Sequence, residues 1–246
     1  MTPLLRLALS SCLAFPLIAQ EPDAKPAPAS AGKQEQDAPK TLQLGQRVNG
    51  ATTLLDLDGK PVKAQDQMGK ITVVNFYSIQ CPIQRAWDKR LAEIQTEFGK
   101  QGVVFLHIDS NVTEIGAAPP AADGDEEPYA KVKEHLKKNE LPFRVLADHG
   151  NKVADMFDAK TTPHIYVFGK DGKLVYKGLV DDDQKNQNAD SRKNYLRDVL
   201  GSLLKGEKVE PFATKEVGCT IKRVSAGGGR GNRGRGGRRS GNGGGE

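Results

Sequence analysis

Hydrophobic positions change from strand-like to helix-like spacing at one corner of the chain, the segment VNFYSIQCPIQRAW (residues 74–87). The overlapping run KITVVNFYS (residues 70–78) is almost continuously apolar and rich in β-branched residues, which predicts a buried central strand. Pro82 and Gly99 suit the start and the end of a helix. Between them, helical spacing relates Ile83, Trp87, Leu91, Ile94 and Phe98. A strand is therefore predicted to run into a helix, with Cys81 at the junction.

The same patterns predict elements on both sides of this corner. TTLLDLDGKPVKA (residues 52–64) has the alternation and the Asp58-Gly59 turn of a β-hairpin. GVVFLHID (residues 102–109) is a second buried strand, and the long stretch over residues 110–128 has no periodicity and is predicted as a loop. The remaining predictions are a helix over 129–141, a strand over 143–148, a short helix over 151–158, a hairpin over 164–180 and a final amphipathic helix over 191–206.

The order of these elements predicts an α/β fold. Strand–helix–strand units near the start imply a parallel sheet that is covered by helices on both faces. The late hairpin adds antiparallel strands. We therefore expect a mixed central sheet flanked by helices, with an N-terminal β-hairpin.

Both ends of the chain have compositions that do not favour a packed core. Residues 1–19 follow the pattern of a secretory signal peptide, and residues 20–40 form a Pro-, Ala- and charge-rich linker that is predicted to be disordered. Residues 222–246 form a Gly/Arg-rich tail, also predicted to be disordered. This tail holds seven Lys or Arg and one Glu, a net charge of +6 where the whole chain has +5. The folded domain is thus predicted over residues 41–221, and the tail accounts for the net positive charge of the chain.

The signal peptide predicts a periplasmic or secreted protein. LSSC (residues 9–12) also resembles a lipoprotein cleavage box with Cys12 as the lipidated residue, so a membrane-anchored form is the alternative.

Cys81 is the main candidate for chemistry. A residue between a buried strand and a helix start lies beside free backbone N–H groups and the positive end of the helix dipole, and both favour an anion. The thiol pKa is therefore expected to fall below its ordinary value of about 8.5, which leaves more of the nucleophilic thiolate at neutral pH. The alternative is a buried, inert cysteine.

A second signal is AKTTPHIYVF (residues 159–168), where Pro163 stands at the start of a buried strand. A strand–Cys–Pro–helix corner followed about 80 residues later by a TTP strand start resembles the thioredoxin fold. More specifically, residues 41–221 resemble the thioredoxin-like redoxins, which include AhpC/TSA-type proteins and extracytoplasmic, TlpA-like relatives of peroxiredoxins. The resemblance implies a cis Thr162-Pro163 bond beside a reactive sulfur.

The chain departs from the patterns of these redoxins at several positions. Gln84 stands where a C-x-x-C motif has its second cysteine. Of the peroxiredoxin pattern P-x-x-x-T-x-x-C, Ser78 occupies the Thr position and Val74 replaces the Pro. Arg85 is the nearest candidate for the arginine that peroxiredoxins hold near the sulfur, and the alternative is a solvated surface arginine.

Cys219, in TKEVGCTIKR (residues 214–223), is the other cysteine of the mature chain if Cys12 leaves with the signal peptide. An even number of cysteines in an exported chain favours pairing, and the GC-x-I-K context resembles the C-terminal end of some redoxin-like sequences. Cys219 is thus a candidate resolving thiol for Cys81. A permanent disulfide and two unpaired cysteines remain the alternatives.

The other chemistry-bearing residues predict neither a metal site nor a cofactor. The four histidines have no metal-ligand spacing, including His164, which directly follows Pro163. Three consecutive carboxylates, Asp181 to Asp183, are interpreted as a solvated loop rather than a cation site. Asp109 is interpreted as a cap or turn residue.

These features lead to three functional hypotheses. The favoured one is a thiol-based oxidoreductase that acts on a protein disulfide or a peroxide, with an unknown thiol electron donor. The second is a non-catalytic redoxin-fold adaptor, held on an anionic surface by its tail. The third is a nucleic-acid-binding protein, against which the signal peptide argues. The Gly/Arg tail itself is expected either to attach to polyanions such as lipid headgroups, polysaccharide or nucleic acid, or to act as an inert solubilising segment.

Overall fold

A computed structural model describes residues 41–48, 52–121 and 127–224 of the protein. The predicted signal peptide, the linker and the tail from residue 225 onward lie outside these residues. None of the described helices combines the length and the apolar run that crossing a bilayer requires.

The described residues form ten strands and five α-helices. The strands are β1 (Thr53–Leu55), β2 (Pro61–Lys63), β3 (Ile71–Tyr77), β4 (Val103–Asp109), β5 (Val145–Ala147), β6 (Thr161–Thr162), β7 (His164–Phe168), β8 (Leu174–Gly178), β9 (Phe212–Ala213) and β10 (Cys219–Thr220). The helices are α1 (Pro82–Gly99), α2 (Val112–Ile115), α3 (Ala130–Lys138), α4 (Lys152–Phe157) and α5 (Tyr195–Lys205). Two 3-10 turns span Gln65–Gln67 and His149–Asn151.

Eight strands form one mixed sheet in the order β2-β1-β5-β4-β3-β7-β8-β9. Strands β3, β4 and β5 run parallel, and β7 pairs antiparallel with β3. This arrangement confirms the predicted mixed sheet and its N-terminal hairpin, β1–β2. Because β3 lies at the centre and all seven of its residues are buried, its carboxyl end delivers the following loop and Cys81 to one edge of the core.

Helices cover both faces of the sheet, as the continuous apolar strands require. Alternate residues of β3 point to opposite faces, so Val73 and Tyr77 join one core and Val74 and Phe76 the other. The first core packs against α1, α3 and α5, and the second against α4. The predicted α1 is confirmed from Pro82 to Gly99, with Trp87, Leu91, Ile94 and Phe98 buried.

Three features of the fold were not predicted. A second, two-stranded sheet joins β6 to β10, and β9 extends the main sheet beside β8. Each of these three strands has only two residues, too few for a periodic signal. The segment predicted as an irregular loop begins with a helical turn, α2.

The interpretation of Asp181 to Asp183 as a solvated loop is wrong for two of the three. Asp181 and Asp183 are only 2% and 4% exposed. Asp181 accepts hydrogen bonds from Trp87 Nε1 at 2.8 Å and from Arg90 Nε at 2.9 Å, which ties α1 to the loop after β8. In the sequence the three aspartates look alike. Only the fold shows which of them are buried beside a cationic side chain.

We expect Asp181→Ala to lower the free energy of unfolding by about 3 kcal/mol, because it leaves the Arg90 guanidinium and the Trp87 N–H without their buried acceptor. The measurement is chemical denaturation followed by tryptophan fluorescence and circular dichroism. Asp182→Ala is the matched control, since Asp182 is exposed and accepts a hydrogen bond from Lys193 N–H. Its cost should stay below about 1 kcal/mol. Equal losses in the two variants would contradict the role of the buried ion pair.

Candidate active site

Cys81 caps the amino end of α1. Its backbone is extended, Pro82 occupies the first helical turn, and Cys81 Sγ accepts the N–H of Gln84 at 3.4 Å. The residue is 2% exposed. Because α1 has 18 residues, its free N–H groups and dipole both act at the sulfur position. The corner therefore has the anion-stabilising geometry that the sequence predicted.

The two-stranded sheet brings Cys219 to this corner. Cys219 pairs antiparallel with Thr162, and it is disulfide-bonded to Cys81 across a Cα–Cα distance of 5.8 Å. The peptide bond between Thr162 and Pro163 is cis. The carbonyl oxygen of Thr162 lies 2.9 Å from Cys81 Sγ, so the reduced thiol would have an acceptor there. The structure thus unites Cys81, Cys219, Thr162 and Pro163.

Gly218 makes this close approach of β10 feasible. A Cβ on residue 218 would lie 2.8 Å from the carbonyl carbon of Thr162 and nearer still to its oxygen. Thr162 is the last residue of β6 and is only 1% exposed, so its carbonyl group is enclosed by the surrounding protein. Residue 218 must therefore lack a side chain for Cys219 to reach Cys81. The sequence shows Gly218 only as the first residue of the GC-x-I-K context and does not reveal its close approach to Thr162.

The loop between β3 and Cys81 is held by Glu114, a residue of α2 that the sequence did not single out. Its carboxylate accepts Ser78 Oγ–H at 2.5 Å, Ile79 N–H at 2.8 Å and Gln80 N–H at 3.2 Å. Ser78 Oγ in turn accepts the N–H of Cys81 at 3.1 Å. Glu114 therefore fixes the three residues that precede the sulfur.

Gln84, at the position of the missing second cysteine, belongs to a buried polar network. Its side-chain amide donates to Asp88 at 2.8 Å and accepts from Asn75 at 3.2 Å. Burial raises the pKa of Asp88 to about 6, partly offset by the Gln84 hydrogen bond. Burial lowers the pKa of His107, which contacts Asn75 at 3.2 Å, to about 3, so this imidazole is neutral. Gln84 thus replaces a thiol with a fixed amide.

Among the described residues, neither Arg85 nor His164 makes a hydrogen bond to Cys81 Sγ. Arg85 is exposed, and its charge acts on Asp88 and His135. His164 is buried on β7 and contacts Tyr166 OH at 3.2 Å. Burial lowers the pKa of His164 to about 4, so it supplies no positive charge at neutral pH. In the described parts of the chain, no group of three or more His, Cys, Asp or Glu side chains is arranged to hold a metal ion.

Named proteins that are similar to this chain include thiol oxidoreductases. The chain is 26% identical to the thiol-disulfide oxidoreductase ResA of Bacillus cereus over 59% of its own length and 75% of the relative's. It is 29% identical to the chloroplastic peroxiredoxin Q of Oryza sativa subsp. japonica over 69% and 76%. The crystal structure of a candidate DsbE thiol:disulfide interchange protein from Chlorobium tepidum, 14% identical, shares the fold with a TM-score of 0.50, covering 67% of this chain and 99% of that one.

These comparisons confirm the thioredoxin-like fold. The cysteine pair and the names of the relatives both indicate thiol-based redox chemistry. The model of the AhpC/TSA family matches residues 44–177, more than half of the chain. The protein therefore belongs to the AhpC/TSA family and is a thiol-based oxidoreductase.

Proposed function

We propose that the protein exchanges disulfides with other proteins, with Cys81 as the nucleophile and Cys219 as the resolving thiol. The observation that carries this proposal is the Cys81–Cys219 bond at the amino end of α1. Thr162 and Pro163 act as positioning residues, since the β6 backbone aligns Cys219 and presents its carbonyl group to Cys81. Among the described residues Arg85 makes no hydrogen bond to Cys81 Sγ, and it adds an exposed positive charge near the amino end of α1.

The proposed cycle transfers two electrons and balances as follows. The Cys81 thiolate attacks a substrate disulfide, which forms a mixed disulfide and releases one substrate thiolate. The Cys219 thiolate then attacks Cys81 Sγ, which closes the Cys81–Cys219 disulfide and releases the second substrate thiolate. Protons from the two cysteine thiols end on the two substrate thiols. A dithiol donor later returns the two electrons.

The named ResA relative supports a disulfide as substrate. The peroxiredoxin Q relative favours a peroxide as the second candidate substrate. In that case Cys81 would attack the peroxide, become a sulfenic acid and release water or an alcohol. Cys219 would then form the same disulfide and release a second water. Assays with an oxidised protein and with hydrogen peroxide separate the two substrates.

The two sulfurs of the disulfide differ in how readily an incoming thiol can attack them. Cys81 is 2% exposed, whereas Cys219 is partly exposed and follows Gly218, which has no side chain. Attack on Cys219 would also expel the Cys81 thiolate, the better leaving group because α1 stabilises it. We therefore expect the electron donor to form its mixed disulfide with Cys219.

The test is to treat the oxidised, folded protein with glutathione in the presence of iodoacetamide and to map the products by mass spectrometry. Glutathione on Cys219 and carbamidomethyl on Cys81 should exceed the reverse pattern by at least about tenfold. In guanidinium chloride the preference should disappear, because it depends on the fold. A folded protein that forms no adduct would show a permanent disulfide and would contradict the proposed function.

We further propose an extracytoplasmic location, which the predicted signal peptide supports. Residues 225–246 would then add salt-sensitive attachment to polyanions outside the cytoplasm. Fractionation followed by amino-terminal sequencing tests the location. Binding of anionic and neutral vesicles by the full chain and by a chain truncated after Val224 tests the tail.

A further inference from the structure

A pair of carboxyl groups, one buried and one partly exposed, lies between the two segments that carry the cysteines. Asp109 ends β4 and is 0% exposed, and Glu114 belongs to the following α2. Asp109 Oδ1 accepts the backbone N–H of Asn111 at 2.8 Å and its side-chain amide at 3.1 Å. Asp109 Oδ2 has no donor among the described residues, and the Glu114 carboxyl group is the side-chain partner that faces Asp109.

The hydrogen bonds of the pair show which carboxyl group holds a proton. Glu114 accepts three donors from residues 78–80, an arrangement that suits a carboxylate. Burial of Asp109 and the negative charge of the neighbouring Glu114 both disfavour a second negative charge, so the pair favours holding one proton. Asp109 Oδ2 has no other partner in the part of the chain that the structure describes, and it is the natural site of that proton, from which it can donate to Glu114.

The pair connects to both cysteines. On one side, Glu114 holds Ser78, whose hydroxyl oxygen accepts the N–H of Cys81. On the other side, Asp109 fixes Asn111, whose Oδ1 accepts the N–H of Lys222 at 3.0 Å. The carbonyl oxygen of Lys222 also accepts the N–H of Val112 at 2.8 Å. Because Lys222 lies three residues after Cys219, the same two acids hold the loop before one sulfur and the segment after the other.

We propose that Asp109 and Glu114 share one proton and act as a positioning pair that aligns Cys81 with Cys219. This inference rests on the proposed function, since it concerns how the two cysteines meet. Loss of the proton to solvent places two negative charges in contact, and the repulsion moves Glu114 away from residues 78–80 or Asp109 away from Asn111. Either movement misaligns the sulfurs.

The direction of the pH dependence follows from the buried environment. Burial and the Glu114 charge raise the pKa of Asp109 well above the ordinary range of an aspartate. The aligned state is therefore present below this raised pKa and is lost as the pH rises through it. The other titratable groups around the pair are Tyr77 of β3, His135 of α3 and Asp148, whose backbone N–H donates to the carbonyl oxygen of Asp109. Asp88 and Arg85 of α1 act in turn on Tyr77 and His135.

The first test detects the proton itself. Infrared spectra at pH 8 should show the carbonyl band of a protonated carboxyl group in the wild-type protein and lack it in Asp109→Asn. Asp88→Asn is the matched control and should keep the band, because a carboxyl with a pKa of about 6 is ionised at pH 8. A wild-type protein without the band, or an Asp109→Asn variant that keeps it, would overturn the proposal.

The second test measures how fast Cys219 closes the disulfide after glutathione is placed on Cys81. The amide of Asp109→Asn can still donate to Glu114 and accept from Asn111, so closure at neutral pH should stay within about twofold of wild type, whereas Asp109→Ala should slow it by about tenfold or more. The infrared band of the wild type disappears as the pH rises. Over the same pH range, the ratio of the wild-type closure rate to the Asp109→Asn closure rate should fall. Both proteins contain the same thiols, so thiol titration cancels in this ratio.

The two kinds of failure are distinguishable. A ratio that stays constant while the band disappears would overturn the positioning role, even if cysteine variants behave as the proposed function requires. If Asp109→Ala does not fold, the band and the Asp109→Asn ratio still decide the question.

Discussion

Cys81→Ser is expected to lower the rate of disulfide exchange by at least about three orders of magnitude, because a serine hydroxyl does not form the sulfur nucleophile. Every step of the proposed cycle passes through Cys81 Sγ, and α1 stabilises negative charge only at that position. The measurement is reduction of an oxidised model protein with a dithiol donor. Circular dichroism should show that the variant remains folded.

Cys219→Ser should behave differently, and this contrast is the more informative result. The variant keeps the nucleophile and its helix start, so one substrate molecule should react and then remain attached to Cys81 as a mixed disulfide. Non-reducing mass spectrometry should find about one adduct per chain and little turnover without added thiol. Equal activity of both variants and the wild type would contradict catalysis and support the adaptor hypothesis, in which only removal of the tail has an effect.

Much of the site could be predicted because its parts lie on periodic elements. The continuous apolar run of β3 and the helical spacing after Pro82 locate Cys81 at a strand–helix corner. The resemblance to redoxins predicts the cis Thr162-Pro163 bond, which the structure contains. Cys219 pairs with Cys81 in two of the three alternatives that the sequence leaves open, the resolving thiol and the permanent disulfide, since a sequence separation of 138 residues carries no local signal.

The residues that support the cysteines could not be predicted, and the reasons are physical. Glu114 lies in a segment without periodicity, and its role in holding residues 78–80 depends on three donors that the fold brings to it. Asp109 resembles any aspartate at the end of a strand until its second oxygen is found without a donor. Gln84 appeared only as a missing cysteine, whereas the structure shows a buried amide that links Asn75 to Asp88.

Gly218→Ala is expected to prevent the Cys81–Cys219 bond from forming in the native fold. The new Cβ would overlap the carbonyl group of Thr162, a buried residue of β6 that pairs with Cys219. Strand β10 must then shift away from β6, which separates the sulfurs. Because the bond closes a loop with a sequence separation of 138 residues, its loss removes up to about 5 kcal/mol of stabilisation in the chain-entropy account. Thiol counting and denaturant unfolding under oxidising conditions measure both effects.

Two comparisons separate this effect from a general cost of replacing glycine. Gly201→Ala lies in α5 with open space around its Cβ, and it should leave the disulfide intact and stabilise the helix by up to about 1 kcal/mol. In a Cys219→Ser background, Gly218→Ala should cost much less, because the cross-link is already gone. If Gly218→Ala destabilised both backgrounds equally, the cost would be local crowding at Thr162. If the Gly218→Ala variant formed the disulfide as readily as the wild type, the close approach of β10 to β6 would not control the pairing of the two cysteines.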